Sequence, residues 1–96
     1  MLIFKHSTSC PTSAAAYNRF MKYAAEKGEA LPRTYLVKVI ESRPVSNAIA
    51  ARLGVTHQSP QIILVKDEKA LWSASHYGIH GQAIDDALAA ISPPSA

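Results

Sequence analysis

Apolar residues fall along this chain in two alternating rhythms. Leu2-Ile3-Phe4 is a short unbroken apolar run, closed by Lys5-His6 and by the polar Ser7-Thr8-Ser9, and it reads as a buried strand. Pro11 suits the first position of a helix, where a missing N–H costs nothing. Ala14, Tyr17, Phe20, Met21 and Ala24 then recur at helical spacing, and Gly28 can cap the end. The pattern predicts a helix over 11–27 with those side chains in the core. Tyr35 to Ile40 is a second strand, mostly apolar and β-branched, of the kind found in sheets covered on both faces. Pro44 opens a second helix with Val45, Ile49 and Leu53 on one side and Gly54 closing it. After the turn signal Ser59-Pro60 comes a third strand, Ile62-Ile63-Leu64-Val65. The charged Lys66-Asp67-Glu68-Lys69 connects it as a hairpin to a fourth, Leu71-Trp72-Ser73-Ala74. A last helix carries Ile84, Ala87, Leu88 and Ile91, has Asp85 and Asp86 near its positive end, and stops at Pro93-Pro94.

The order is β-α-β-α-β-β-α. A right-handed crossover makes the first two strands parallel, the hairpin adds two antiparallel ones, and helices cover both faces. The expected fold class is α/β: a three-layer α/β/α sandwich on a four-stranded mixed sheet with the first strand central. No repeat or linker divides the chain, so residues 1–92 read as a single domain and 93–96 as a frayed tail.

Composition narrows the function. With 96 residues, 48% hydrophobic and 18% charged, the chain is globular rather than disordered. Its net charge of +3 comes from basic residues scattered along it with no run, which argues against a nucleic-acid partner. No stretch approaches the ~20 apolar residues of a membrane helix, and the apolar run at the start is short for a signal peptide. One cysteine cannot make an internal disulfide. Together these point to the reducing cytoplasm, without a membrane partner.

That cysteine, Cys10, lies where the first strand ends and Pro11 starts the helix. Free N–H groups and the helix dipole favour an anion there, so the thiolate, the species that attacks disulfides, is stabilised. A buried structural role is the commoner fate of a lone cysteine, but Ser7, Thr8, Ser9, Thr12 and Ser13 surround this one with polar groups. Cys10-Pro11-Thr12-Ser13 has the spacing of a thioredoxin-type Cys-x-x-Cys with serine in the last place, which cannot resolve a mixed disulfide. The candidate site is therefore Cys10 as nucleophile, with Ser9, Pro11, Thr12 and Ser13 forming the active-site loop and the Thr12 and Ser13 hydroxyls set to stabilise the sulfur. Pro60, just before the third strand, stands where this topology places a cis proline facing the cysteine. The bend there would expose the backbone of Ser59 to an extended substrate. His6, His57, His76 and His80 match no zinc-binding spacing, so no metal is expected.

Phe4-Lys5-His6-Ser7-Thr8-Ser9-Cys10-Pro11-Thr12-Ser13 resembles the monothiol bacilliredoxin family, thioredoxin-like proteins of the bacillithiol system. So do Arg43 to Ala50, Gly54 to Gln61 and Ala74 to Ile79. The resemblance implies a thioredoxin fold, Cys10 as nucleophile and Pro60 as the cis proline. It also implies a reaction: removal of a low-molecular-weight thiol, bacillithiol or an equivalent such as glutathione, from protein mixed disulfides. No tightly bound cofactor is implied. The small thiol is a co-substrate, and the partners are thiolated client proteins and a recycling reductase. Members of the family usually carry a further segment before the first strand, whereas this chain begins almost in that strand, so the second strand is expected to be a bare sheet edge. They also tend to have a hydroxyl residue where His80 opens the last helix. Two other functions share such a scaffold: a monothiol-glutaredoxin-like iron–sulfur carrier, disfavoured by the restriction Pro11 places on the loop, and a redox-inert interaction module.

Overall fold

The computed structural model describes residues 1–7 and 9–91. Thr8 and the expected frayed tail, with the Pro93-Pro94 stop, lie outside them. Elements follow in the order β1 (Leu2–His6), α1 (Pro11–Lys27), β2 (Thr34–Lys38), α2 (Arg43–Leu53), β3 (Gln61–Lys66), β4 (Lys69–Ser75) and α3 (Gly81–Ile91). Short 3₁₀ turns occupy Gly28–Ala30 and His76–Gly78. The strands form one mixed sheet in the order β2-β1-β3-β4. β1 is parallel to β2 and antiparallel to β3, which is antiparallel to β4.

Alternation along β1 and β3 builds two cores. Leu2 and Phe4 of β1 join Ile62 and Leu64 of β3 against Ala16, Phe20 and Tyr23 of α1 and Ile84 and Ala87 of α3. Ile3, Val37, Ile63 and Val65 face the other way, packed by Ile49, Leu53 and Val55. Helices on both faces of a sheet whose central strand is apolar on both sides make the three layers. The β3–β4 hairpin closes through Asp67 (φ 53°) and Glu68 (φ 64°). Two successive residues at positive φ are what a two-residue turn needs to match strand twist.

Three expectations about the core need correction. Met21 is 47% exposed and Ala14 lies on the surface; the buried stripe of α1 is Ser13, Ala16, Phe20 and Tyr23. Apolar spacing misplaces it because two members are polar and buried through hydrogen bonds, Ser13 as described below and Tyr23 by donating to Asp85 Oδ1 at 2.8 Å. β2 ends at Lys38, and its Tyr35 and Leu36 are 46% and 44% exposed rather than covered on both faces. Among the described residues it is one of the two outermost strands, so only its inner side has a neighbouring strand. Val45 also faces solvent, and the residue α2 buries is Ser46. At the start of α3 the missing hydroxyl is replaced by a ring: the Ala83 N–H donates to His80 Nδ1 at 3.3 Å.

Candidate functional site

The strand directions decide what shares an end of the sheet. His6 ends β1 beside Lys38, which ends β2. Lys5 pairs with Gln61, the first residue of β3, and Gln61 pairs with Ser75, the last of β4. Cys10, Arg43, His57, Ser59, Pro60 and His76 therefore belong to the turns at one end, where α1 and α2 both begin.

Cys10 is the N-cap of α1, in extended conformation (φ −109°, ψ 119°) and half-buried. Its carbonyl accepts the Ala14 N–H at 3.0 Å and its own N–H donates to Ser7 O at 3.3 Å. Pro11 follows in the first turn, and no acidic residue lies there. The sulfur thus stands at the positive end of a 17-residue helix with no carboxylate in that first turn to oppose a thiolate.

Ser13 is fully buried. Its Oγ accepts the Ser7 N–H at 2.9 Å and shares a proton with His6 Nδ1 at 2.8 Å. The His6 ring stacks on Tyr17 with centroids 4.9 Å apart. These bonds tie the end of β1 to the first turn of α1 and fix the loop that carries Cys10. They give the Ser13 hydroxyl two partners inside the fold, His6 and the Ser7 backbone. The Ser9 hydroxyl lies 3.4 Å from that of Ser7.

The Ser59–Pro60 peptide bond is cis. Pro60 is buried, its carbonyl accepts the His76 N–H at 3.2 Å, and it sits one residue beyond the Lys5–Gln61 pair, level with His6. Gln61 fixes the preceding loop, accepting the Gln58 N–H at 3.4 Å and donating to Thr56 O at 3.1 Å. Ser59 Oγ is buried and has no hydrogen-bond partner among the described residues.

Behind this end, on the α2 side, lies a group that hydrophobic spacing did not single out. Lys5 is wholly buried; its Nζ donates to Ser46 O at 3.1 Å and lies 3.2 Å from His57 Nδ1. Burial pushes the ammonium below the ordinary lysine range. The His57 ring is likewise held below the usual histidine value, first by burial and then by the charges of Lys5 and Arg43. The signal was present in the sequence as one cation inside the strand Leu2–His6. A second such residue is Arg19, whose guanidinium donates to Ile79 O (3.0 Å) and His76 O (3.1 Å), pinning the turn after β4 to α1. Among the described residues no three His, Cys, Asp or Glu side chains gather as a metal-binding set. Nor is any helix among them long and apolar enough to cross a membrane.

Known proteins share this geometry. Residues 1–84 match the family described as monothiol bacilliredoxin BrxC. A solved structure described as a candidate oxidoreductase with a thioredoxin fold superposes with a TM-score of 0.81 at 31% identity, over 91% of this chain and 75% of that one. Thioredoxin 1 from the thermophilic eubacterium Thermosipho africanus (TM-score 0.68, 12% identity, 95% and 92% coverage) and a malarial protein (0.68, 16%, 91% and 90%) share the fold alone.

Proposed function

Because this chain belongs to the monothiol bacilliredoxin family, we propose that it is a thiol–disulfide oxidoreductase that removes a low-molecular-weight thiol, bacillithiol or an equivalent such as glutathione, from protein mixed disulfides. The observation that carries the reading is the pairing of Cys10 at the start of α1 with a buried, hydrogen-bonded Ser13 three residues on, where a resolving thiol would have to be. The Cys10 thiolate attacks the small-thiol sulfur. A bond forms between the two sulfurs, the mixed disulfide breaks, and the client thiolate leaves with the electron pair and takes a proton from solvent. A second small thiol, or a recycling reductase, then attacks the sulfur held on Cys10 and releases it. Pro11 limits the loop's freedom, and Ser9 and Thr12 border the sulfur in sequence. The Ser59 backbone beside Pro60 offers an extended client segment a place to pair. The proposed setting is the cytoplasm, whose thiol pool supplies the second step.

Incubation of reduced protein with a small-thiol-modified client tests this. Release of about one client thiol per protein, with the small thiol found on Cys10 by intact mass, followed by a stall that added thiol relieves, is the expected result. Cys10→Ser abolishes release, because a hydroxyl is far less ionised and less nucleophilic. Repeated turnover without added thiol, or activity surviving in Cys10→Ser, refutes the mechanism.

A further inference from the structure

Three of the four sequence blocks that resemble the bacilliredoxin family send one residue each to the same place. Lys5 comes from the first, Ser46 from the second and His57 from the third, and the exchange reaction uses none of them. Lys5 Nζ donates to Ser46 O at 3.1 Å and lies 3.2 Å from His57 Nδ1, and Ser46 Oγ lies 3.4 Å from the same nitrogen. An ammonium has no lone pair, so Nδ1 must accept and the ring proton sits on Nε2. The partner of Lys5 across the sheet is Gln61, and residues directly opposed on antiparallel strands share a face. Gln61 grips the same loop: its Nε2 donates to Thr56 O at 3.1 Å and its Oε1 accepts the Gln58 N–H at 3.4 Å. Thr56, His57 and Gln58, the three residues before Ser59, are therefore each tied to a buried residue of the sheet.

From this arrangement we infer that Lys5, Ser46 and His57 are positioning residues for client recognition: they latch the loop before Ser59 to β1 and α2, so that the Ser59 backbone is held in place to pair with an extended client segment. The inference rests on the exchange reaction proposed above and deepens it. The latch needs a neutral ring. A proton on Nδ1 removes the acceptor and sets two cations 3.2 Å apart. Burial first, then the positive charges of Lys5 on β1 and Arg43 on α2, hold the ring below the usual histidine value. The other ionisable groups in the turns and strand ends on this side are His6, Cys10, Lys38, Glu41, His76 and Tyr77. As pH falls the ring takes up its proton, the Lys5 contact breaks and the loop is released. Client pairing therefore weakens on the acid side, while Cys10 keeps its place at the start of α1.

The experiment gives the reduced protein two glutathione mixed disulfides under single-turnover conditions. One is carried by N-acetylcysteine methylamide, which has no chain to pair. The other is carried by an extended, end-blocked peptide of about ten residues with no other ionisable side chain. The peptide-to-amide ratio of second-order rates cancels the reactivity of Cys10 and of the leaving thiol, and so reads the contacts with the peptide chain. In the parent the ratio should be on the order of tenfold at about pH 7.5, the worth of one or two backbone hydrogen bonds. It should fall severalfold by about pH 5. Lys5→Met and His57→Ala should each lower it severalfold at about pH 7.5. His57→Asn sets an amide oxygen in place of Nδ1; it should keep the parent's ratio and lose its pH dependence. A merely structural role would change both rates together and leave the ratio alone. A parent ratio near one, a ratio that ignores pH, parent-like ratios in Lys5→Met and His57→Ala, or a His57→Asn ratio that still falls in acid would overturn the latch while leaving the exchange reaction standing. Failure of the amide disulfide to leave glutathione on Cys10 would overturn both.

Discussion

Ser13→Ala separates the two roles open to the serine that replaces a resolving cysteine. The hydroxyl accepts one bond from the Ser7 N–H and makes another with His6 Nδ1, at 2.9 and 2.8 Å, in a fully buried position. Alanine removes both and leaves the two partners without a replacement inside the fold. An unsatisfied buried donor costs about 1–3 kcal/mol. Ser7 and His6 are only half-buried, so water recovers part of that, and a total near 2–3 kcal/mol follows. For a domain of this length each kcal/mol moves the melting temperature by roughly 4–8 °C, so the variant should melt about 10–20 °C lower. Below that temperature, single-turnover release of a client thiol should stay within about twofold of the parent, because neither lost bond involves the sulfur. Circular dichroism melts and a thiol-release assay on the same preparation check both halves. A variant that melts like the parent but reacts tenfold more slowly would show that the hydroxyl serves the thiolate instead.

Two further predictions concern the cation beneath the site. Lys5→Met keeps the length of a side chain buried without a carboxylate among its hydrogen-bond partners; relief of the desolvation cost should raise stability by about 1–2 kcal/mol, whereas Lys5→Ala opens a cavity and should lower it by about 2–4 kcal/mol, both read from urea unfolding. Loss of stability in Lys5→Met would mean that the cation's bonds outweigh its burial. His57 binds its proton more weakly in the folded state than in the unfolded chain, so stability is fully present above the usual histidine value near 6.5 and is lost as pH falls below it; His57→Gln should flatten that part of a pH–stability curve, and an unchanged curve would remove His57 as its source.

Sequence pattern carried the architecture because most elements here obey one rule at a time. β1 and β3 are apolar runs between turns, α1 has a proline at its start and a glycine at its end, and the hairpin is marked by charge. Cys10 was legible for the same reason, since Pro11 marks the helix start beside it. The failures fall where a polar group is buried by a partner that is distant in sequence. Ser13 meets His6, Tyr23 meets Asp85, and Lys5 meets Ser46 and His57, and none of these pairings leaves a periodic trace. Exposure of Leu36, Tyr35 and Val45 was equally hidden, because it depends on which strand is outermost rather than on what the strand is made of.

The central place of β1 also governs how the molecule comes into being. Its partners are residues 34–38 on one side and 61–64 on the other, whereas the β3–β4 hairpin closes locally through two residues. Local contacts pay little loop-closure entropy and form readily, while contacts between distant segments must await a compact partner. On a ribosome β1 emerges first, yet the groove that receives it does not exist until β3 has been made. Leu2, Ile3 and Phe4 remain uncovered for that interval, and Cys10 is a thiol on an unanchored chain. The strand that pairs with β1 on its other side arrives only in that late event, so a chain truncated before residue 61 carries the cysteine without β3 and the core that β3 completes.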